Sequence, residues 1–260
     1  MRMTMNHGKG SMLKRYGWFS CMLAMLVGGT LHAATVQEVG SNRVGVQAES
    51  PDSLTGTRFI IVDTTSTFTS AYGTTILPAT TNALGEAALL HNFSGSGGVA
   101  RYDFVFDTPG TYYAYMRFSF FEDNANTGNY GNEDSIFVST DWGDVPAGDN
   151  LHTMDFSTSG YPSGHSAWEG TYRWNQVYVR NSSGAFRSTK VALTVDPGDL
   201  GNTLSFYMTP RESGISIDYL LFSTDDNLTN AQLNLLVPEP ATFSVMGLGM
   251  FALAMRRRRA

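Results

Sequence analysis

Cysteine is almost absent from this sequence. Of 260 residues only Cys21 is one, and it opens an apolar stretch near the N-terminus, so residues 35–236 contain none. A disulfide scaffold is thereby excluded, as is thiol chemistry in that region. Cys21 does not read as a lipidation site either, because such a site closes an apolar run. Charge is also scarce, at 15% of residues, and cations are scarcer still: residues 35–236 hold 9 basic against 22 acidic side chains. That balance excludes nucleic acid, whose binding depends on Lys and Arg neutralising phosphate, and disfavours anionic lipid. It suits neutral partners or divalent cations.

Catalytic signatures are missing too. There is no Gly-x-Ser-x-Gly elbow, no His-Glu-x-x-His pair and no phosphate-cradling glycine loop. His91, His152 and His165 are scattered and read as surface histidines. Carboxylates are plentiful enough to supply a glycosidase pair, which keeps a polysaccharide hydrolase or lyase as an alternative. The main expectation is a protein without catalytic activity.

What the chain has in abundance is Gly, Ser, Thr, Tyr and Phe, with alternating patterns and no long helical period, which argues for strands. In residues 100–107 one face carries Tyr102, Phe104 and Phe106 and the other Arg101, Asp103 and Asp107. Pro109-Gly110 then turns into a strand whose alternate members are Tyr112, Ala114, Met116, Phe118 and Phe120. Further strands are predicted over residues 44–49, 58–62, 134–139, 173–180, 190–196, 202–208 and 215–222. About nine strands without long helices predict an all-β, two-sheet antiparallel sandwich over residues 35–225. Residues 140–172, rich in Gly, Asp, Ser and Trp, are expected as loops at one end of it. Residues 226–236 are expected to be a short polar linker.

The two ends differ from this middle. Lys14 and Arg15 precede an apolar run from Trp18 to Val27, and Leu31-His32-Ala33-Ala34 supplies small residues at its end. That order predicts a signal peptide over residues 1–34, with an uncleaved anchor as the alternative. At the far end Pro238-Glu239-Pro240 precedes fifteen largely apolar residues, 241–255, and then Arg256, Arg257, Arg258 and Arg259. Fifteen residues as a helix reach roughly 22 Å, short of a bilayer core of about 30 Å, and the arginines favour the cytoplasmic side. This tripartite end over residues 237–260 resembles the PEP-CTERM sorting signal, also catalogued as the ice-binding protein C-terminal domain. The resemblance implies processing by an exosortase-type enzyme near Pro-Glu-Pro in a Gram-negative bacterium, with membrane contact only through a transient C-terminal helix. An ordinary C-terminal anchor is the alternative.

Within the middle, Val46-Gln47-Ala48-Glu49, the Tyr102 to Arg117 hairpin, Asp134 to Ser139, Arg173-Trp174-Asn175-Gln176-Val177 and Gly214 to Leu220 come in a fixed order. That order is similar to galactose-binding-like jelly rolls, among them carbohydrate-binding modules with an early "AE" and a late "iDyi". The resemblance implies a structural calcium ion held by Glu49 and Asp218, carboxylates suited to a hard cation. Two solvated or hydrogen-bonded carboxylates are the alternative. For sugar, which needs aromatic faces and polar neighbours, the candidates are Trp142, Trp168, Tyr172, Asn129 and Asp141. Trp174 is expected to pack inward. The functional expectation is an exported, non-catalytic protein that binds polysaccharide of the extracellular matrix, the alternative being a structural biofilm-matrix protein without specific glycan binding.

Overall fold

The computed structural model describes residues 34–38, 40–66, 68–69, 75–76, 83–91, 97–120, 135–155, 171–185, 188–212 and 214–236. The signal and sorting segments expected at 1–34 and 237–260 lie outside them, apart from Ala34. The strands, in chain order, are β1 (Thr35–Val36), β2 (Arg43–Gln47), β3 (Ser53–Gly56), β4 (Phe59–Asp63), β5 (Phe68–Thr69), β6 (Thr75–Ile76), β7 (Ala87–His91), β8 (Gly98–Val105) and β9 (Gly110–Phe120). They continue with β10 (Ser135–Val138), β11 (Thr153–Asp155), β12 (Arg173–Gln176), β13 (Tyr178–Val179), β14 (Thr189–Lys190), β15 (Ala192–Val195), β16 (Thr203–Pro210) and β17 (Ile215–Ser223). One helix, α1 (Asn230–Leu236), follows. Among the described residues no helix is long and apolar enough to cross a membrane.

Two sheets form an all-β jelly-roll sandwich. The first runs β1-β8-β16-β10-β11-β13-β14 with β3 also on β8; the second runs β12-β9-β17-β7-β4, with β15 also on β9 and β2 also on β17. Pairing in both sheets is antiparallel except for β1, which runs parallel to β8 and so departs from the purely antiparallel expectation. The inner faces follow from alternation. Tyr102, Phe104 and Phe106 from one side and Tyr112, Ala114, Met116 and Phe118 from the other are all buried in one core. Phe104 and Phe206 of the first sheet meet Phe222 of the second edge-on, at 5.0 and 5.1 Å between ring centres.

Two predicted strands change sheet midway. The stretch 173–180 splits at Val177 into β12 in the second sheet and β13 in the first, and 190–196 splits at Val191 into β14 and β15. A ring of backbone bonds holds the corner: Val191 N–H donates to Val177, Val177 N–H to Ala114, and Ala114 N–H to Val191.

The outer face of the second sheet is not open to water. Tyr115, Trp174, Tyr219 and Leu221 form a second apolar cluster, covered by Leu233 of α1. The stretch expected as a linker is therefore part of the domain. Tyr115 donates its hydroxyl proton to the Asp225 carbonyl, and Trp174 Nε1 donates to Asn234 Oδ1 at 3.0 Å. Trp174 is buried as expected, but on this outer side beneath α1 and not between the sheets.

Candidate functional site

The site begins with an irregularity in β17. Ile217 pairs with Phe118 and Tyr219 with Arg117, so Asp218 is an extra residue opposite no residue of β9. This bulge switches the parity of the strand: Ile215 and Ile217 face the core before it, Leu220 and Phe222 after it. Asp218 is thereby aimed outward yet fully buried. Its Oδ1 accepts from Leu84 N–H at 2.8 Å, and its Oδ2 is ion-paired with Arg117. The Arg117 guanidinium lies 5.7 Å from the centre of the Tyr172 ring, whose hydroxyl is 2.7 Å from Ser216 Oγ.

Glu49 arrives from the other side. Ala48 N–H donates to the Asp218 carbonyl at 2.9 Å, which holds the end of β2 against β17. Glu49 Oε2 is buried with no hydrogen-bond partner. Burial pushes the Glu49 carboxyl up to about 7, its own backbone N–H pulling down and Asp218 adding to the rise. Burial likewise pushes Asp218 up to about 6 against the pull of Arg117 and of Leu84 N–H. Gly85, at φ +71, closes the cluster; a Cβ there would stand 2.9 Å from Gln47 Nε2 and 3.6 Å from Glu49 Oε1.

Two carboxylates and one guanidinium leave a single negative charge and one orphaned oxygen, and that oxygen fits a further cation or a proton. For calcium, Glu49 would supply the open oxygen, Asp218 and the Gln47 amide would flank it, and the ion would act by tying the first and last long strands together. Among the described residues no group of three or more His, Cys, Asp or Glu side chains is arranged to hold a metal ion, so the remaining ligands of such an ion would be carbonyls or water.

The sugar candidates fall in separate places. The Trp142 ring stands 5.2 Å from Phe106, 5.3 Å from Phe222 and 6.1 Å from Phe104, half-buried over the end of the core. It caps that core. Asp141 is exposed beside it and accepts from Trp142 N–H at 2.8 Å. Tyr172 is buried under Arg117 on the outer face of the second sheet, so it is a packing residue there. Trp168 and Asn129 lie outside the described residues, as do Pro238, Glu239, Pro240 and Arg256 to Arg259.

The described parts of residues 140–172, expected as loops at one end of the sandwich, reach both ends. Trp142 sits where β8 ends, near Phe106, whereas residues 156–170 leave from Asp155, which pairs with Ser135 at the opposite end. The described chain resumes at Thr171, next to Arg173 paired with Phe118, and Phe120 and Ser135, which bound residues 121–134, stand at that same opposite end. The strand β11 carries the chain between the two ends.

Two histidines expected on the surface are buried. His91 is fully enclosed with its ring 5.3 Å from Phe59, and burial, helped by Arg58, lowers it to about 3, so it stays neutral. His152 lies between two carboxylates, Nδ1 at 2.8 Å from Asp149 Oδ1 and Nε2 at 2.7 Å from Asp144 Oδ2. Arg117, Asp144 and Asp149 were not singled out by the sequence; Arg117 had only its place in the hairpin pattern as a signal.

No curated protein sequence matches the chain. Among solved structures it is similar to a family 35 carbohydrate-binding module from Clostridium thermocellum, at 15% identity over 70% of this chain and 98% of that one, with a TM-score of 0.37. The C-terminal family 6 module of the marine laminarinase LamC from Zobellia galactanivorans gives 14% identity, 70% and 99% coverage, and 0.29. A β-(1,4)-mannanase with GH26 and CBM35 parts from Podospora anserina gives 10% identity over 73% of this chain, and 0.38. The chain spans only 29% of that mannanase. Residues 236–259 match the PEP-CTERM protein-sorting motif, so the jelly-roll domain runs directly, at the last residue of α1, into a sorting signal.

Proposed function

We propose that this is an exported, non-catalytic carbohydrate-binding protein, sorted to the cell surface or extracellular matrix of a Gram-negative bacterium and processed by an exosortase-type enzyme. The observation that carries the proposal is the sorting motif at 236–259, joined to a sandwich with no spacer. Glycan binding is supported by the position of Glu49, in the turn just past β2, beside Asp218 of β17, as the resemblance to carbohydrate-binding modules implies. In this reading residues 241–255 cross the inner membrane transiently, Glu49 and Asp218 hold a structural calcium ion, and the sugar-facing residues are Trp168 and Asn129. The strand ends that bound their two segments belong to one end of the sandwich, where several loops can converge on one ligand.

Affinity electrophoresis of residues 35–236 in gels cast with the producer's own exopolysaccharide tests the reading. Retardation of the parent domain, reduced at least fivefold by Trp168→Ala with an unchanged melting temperature, is the expected result. Without retardation on any polysaccharide of a panel, the protein is a structural matrix component instead. Release of sugar products would make it a hydrolase or lyase.

A further inference from the structure

The described domain begins and ends at one cleft. Thr35 and Val36 of β1, Arg43 and Val44 of β2, and Leu235 and Leu236 of α1 line a cleft of about 280 Å³. Both ends of the described domain are fixed there. Gln37 Oε1 accepts from the Asp107 and Thr108 N–H groups, which ties β1 to the β8–β9 turn. α1 is held by buried Leu233 and by the bond from Trp174 to Asn234. On the rim stand two of the most exposed large apolar side chains, Val36 at 68% and Leu235 at 83%.

Leu236 is at once the last residue of α1 and the first of the sorting motif. Only Val237, Pro238, Glu239 and Pro240 separate it from the apolar stretch that begins at Ala241. Four intervening residues make five Cα–Cα steps, which span at most about 18 Å however extended they are, and the headgroup layer beside the hydrocarbon is roughly 5 to 8 Å deep. An edge tethered that closely is held within about 13 Å of the headgroup surface. Residues 35–236 carry 22 acidic against 9 basic side chains, a balance unsuited to lipid phosphate, whereas on this rim Arg43 offsets Glu38 and two apolar side chains stand exposed.

We infer that the edge formed by β1, the start of β2 and the last turn of α1 is a membrane-contact surface, seated on phospholipid headgroups for as long as the sorting segment remains in the bilayer. The inference rests on residues 241–255 entering the membrane. The domain is then oriented with the opposite side, including the strand ends that bound 121–134 and 156–170, turned toward the extracellular space.

The full chain carrying Cys21→Ser, with a single environment-sensitive fluorophore on Val36→Cys, Leu235→Cys or, as control, Ile61→Cys, is reconstituted into phosphatidylethanolamine-rich vesicles containing a headgroup-nitroxide lipid. Ile61 is 51% exposed on β4, so all three sites accept a label without disturbing the core. At least threefold stronger quenching at Val36 and Leu235 than at Ile61 is expected. If the chain floats with the vesicles and all three labels are quenched alike, the contact surface is refuted while membrane entry stands. A chain that fails to float overturns both.

Discussion

Arg117 and Asp218 are ion-paired across a bulge that leaves Asp218 without a partner residue on β9. Asp218 is fully buried, so the guanidinium is its one cationic neighbour among the described side chains that contact it. Arg117→Met strands that carboxylate and should cost about 3–5 kcal/mol of stability. Adding Asp218→Asn should recover most of the loss, and urea denaturation of the two variants measures it. A single variant as stable as the parent would show that the pair does not hold the bulge.

Glu49 has no such partner, and this sets the expectation for metal. Calcium at millimolar concentration should raise the melting temperature by several degrees and chelation should reverse it, since a ligand bound only to the folded chain stabilises by mass action. In Glu49→Gln the increment should vanish. Identical melting curves for the parent with calcium and with EDTA would leave Glu49 as a buried acid that holds a proton.

Trp142 closes the core against Phe104, Phe106 and Phe222. Trp142→Ala should therefore lose about 2–4 kcal/mol, less than a fully enclosed tryptophan because the ring keeps some solvent contact. The diagnostic comparison is between denaturation midpoint and glycan retardation. Retardation lost at full stability would return Trp142 to the sugar site.

His152 is set between Asp144 and Asp149, and both bonds carry a proton only when the ring is charged. Burial works to lower its pKa, but the two carboxylates outweigh that and raise it above 6.5. The folded state thus holds this proton more tightly than the unfolded chain does. Its contribution is complete below about pH 6.5 and disappears as pH rises through the raised value. Urea midpoints taken from pH 5.5 to 8.5 should fall above neutrality, and His152→Gln should remove that part of the slope. Parallel curves for the two proteins would exclude the clamp.

Leu233 is the side chain by which α1 covers Tyr115, Trp174 and Tyr219. Leu233→Ala should cost about 2–4 kcal/mol and shift Trp174 emission to longer wavelength as water reaches the ring. An unmoved spectrum would mean that α1 is held by its polar bonds alone.

The hairpin of β8 and β9 was legible because its inward and outward residues alternate without interruption, from Tyr102 to Phe106 and from Tyr112 to Phe118. β7 was not, because Ala87-Ala88-Leu89-Leu90 covers both faces of a central strand and its residues favour helices as well. The switches at Val177 and Val191 escaped notice since a corner between sheets leaves alternation intact on either side. α1 is only seven residues long, too short to display a helical period, so Leu228, Leu233 and Leu236 looked like stray apolar residues in a polar stretch. At the site, the early Ala48-Glu49 and the late Ile217-Asp218-Tyr219 carried the two carboxylates through resemblance. The Arg117–Asp218 pair depends on a one-residue slip in pairing, which no residue type announces.

Every residue of β17 is buried, including those on the side away from the core. A polymer approaching from solution therefore meets no accessible groove along the middle of that sheet. Among the described residues the broad polar flank left to it is the other one, where Arg101, Asp103, Ser205 and Tyr207 stand outward from β8 and β16. A long glycan would have to lie along that flank or be gripped at the tips of the strands, so one covered sheet narrows the directions from which this protein can be approached.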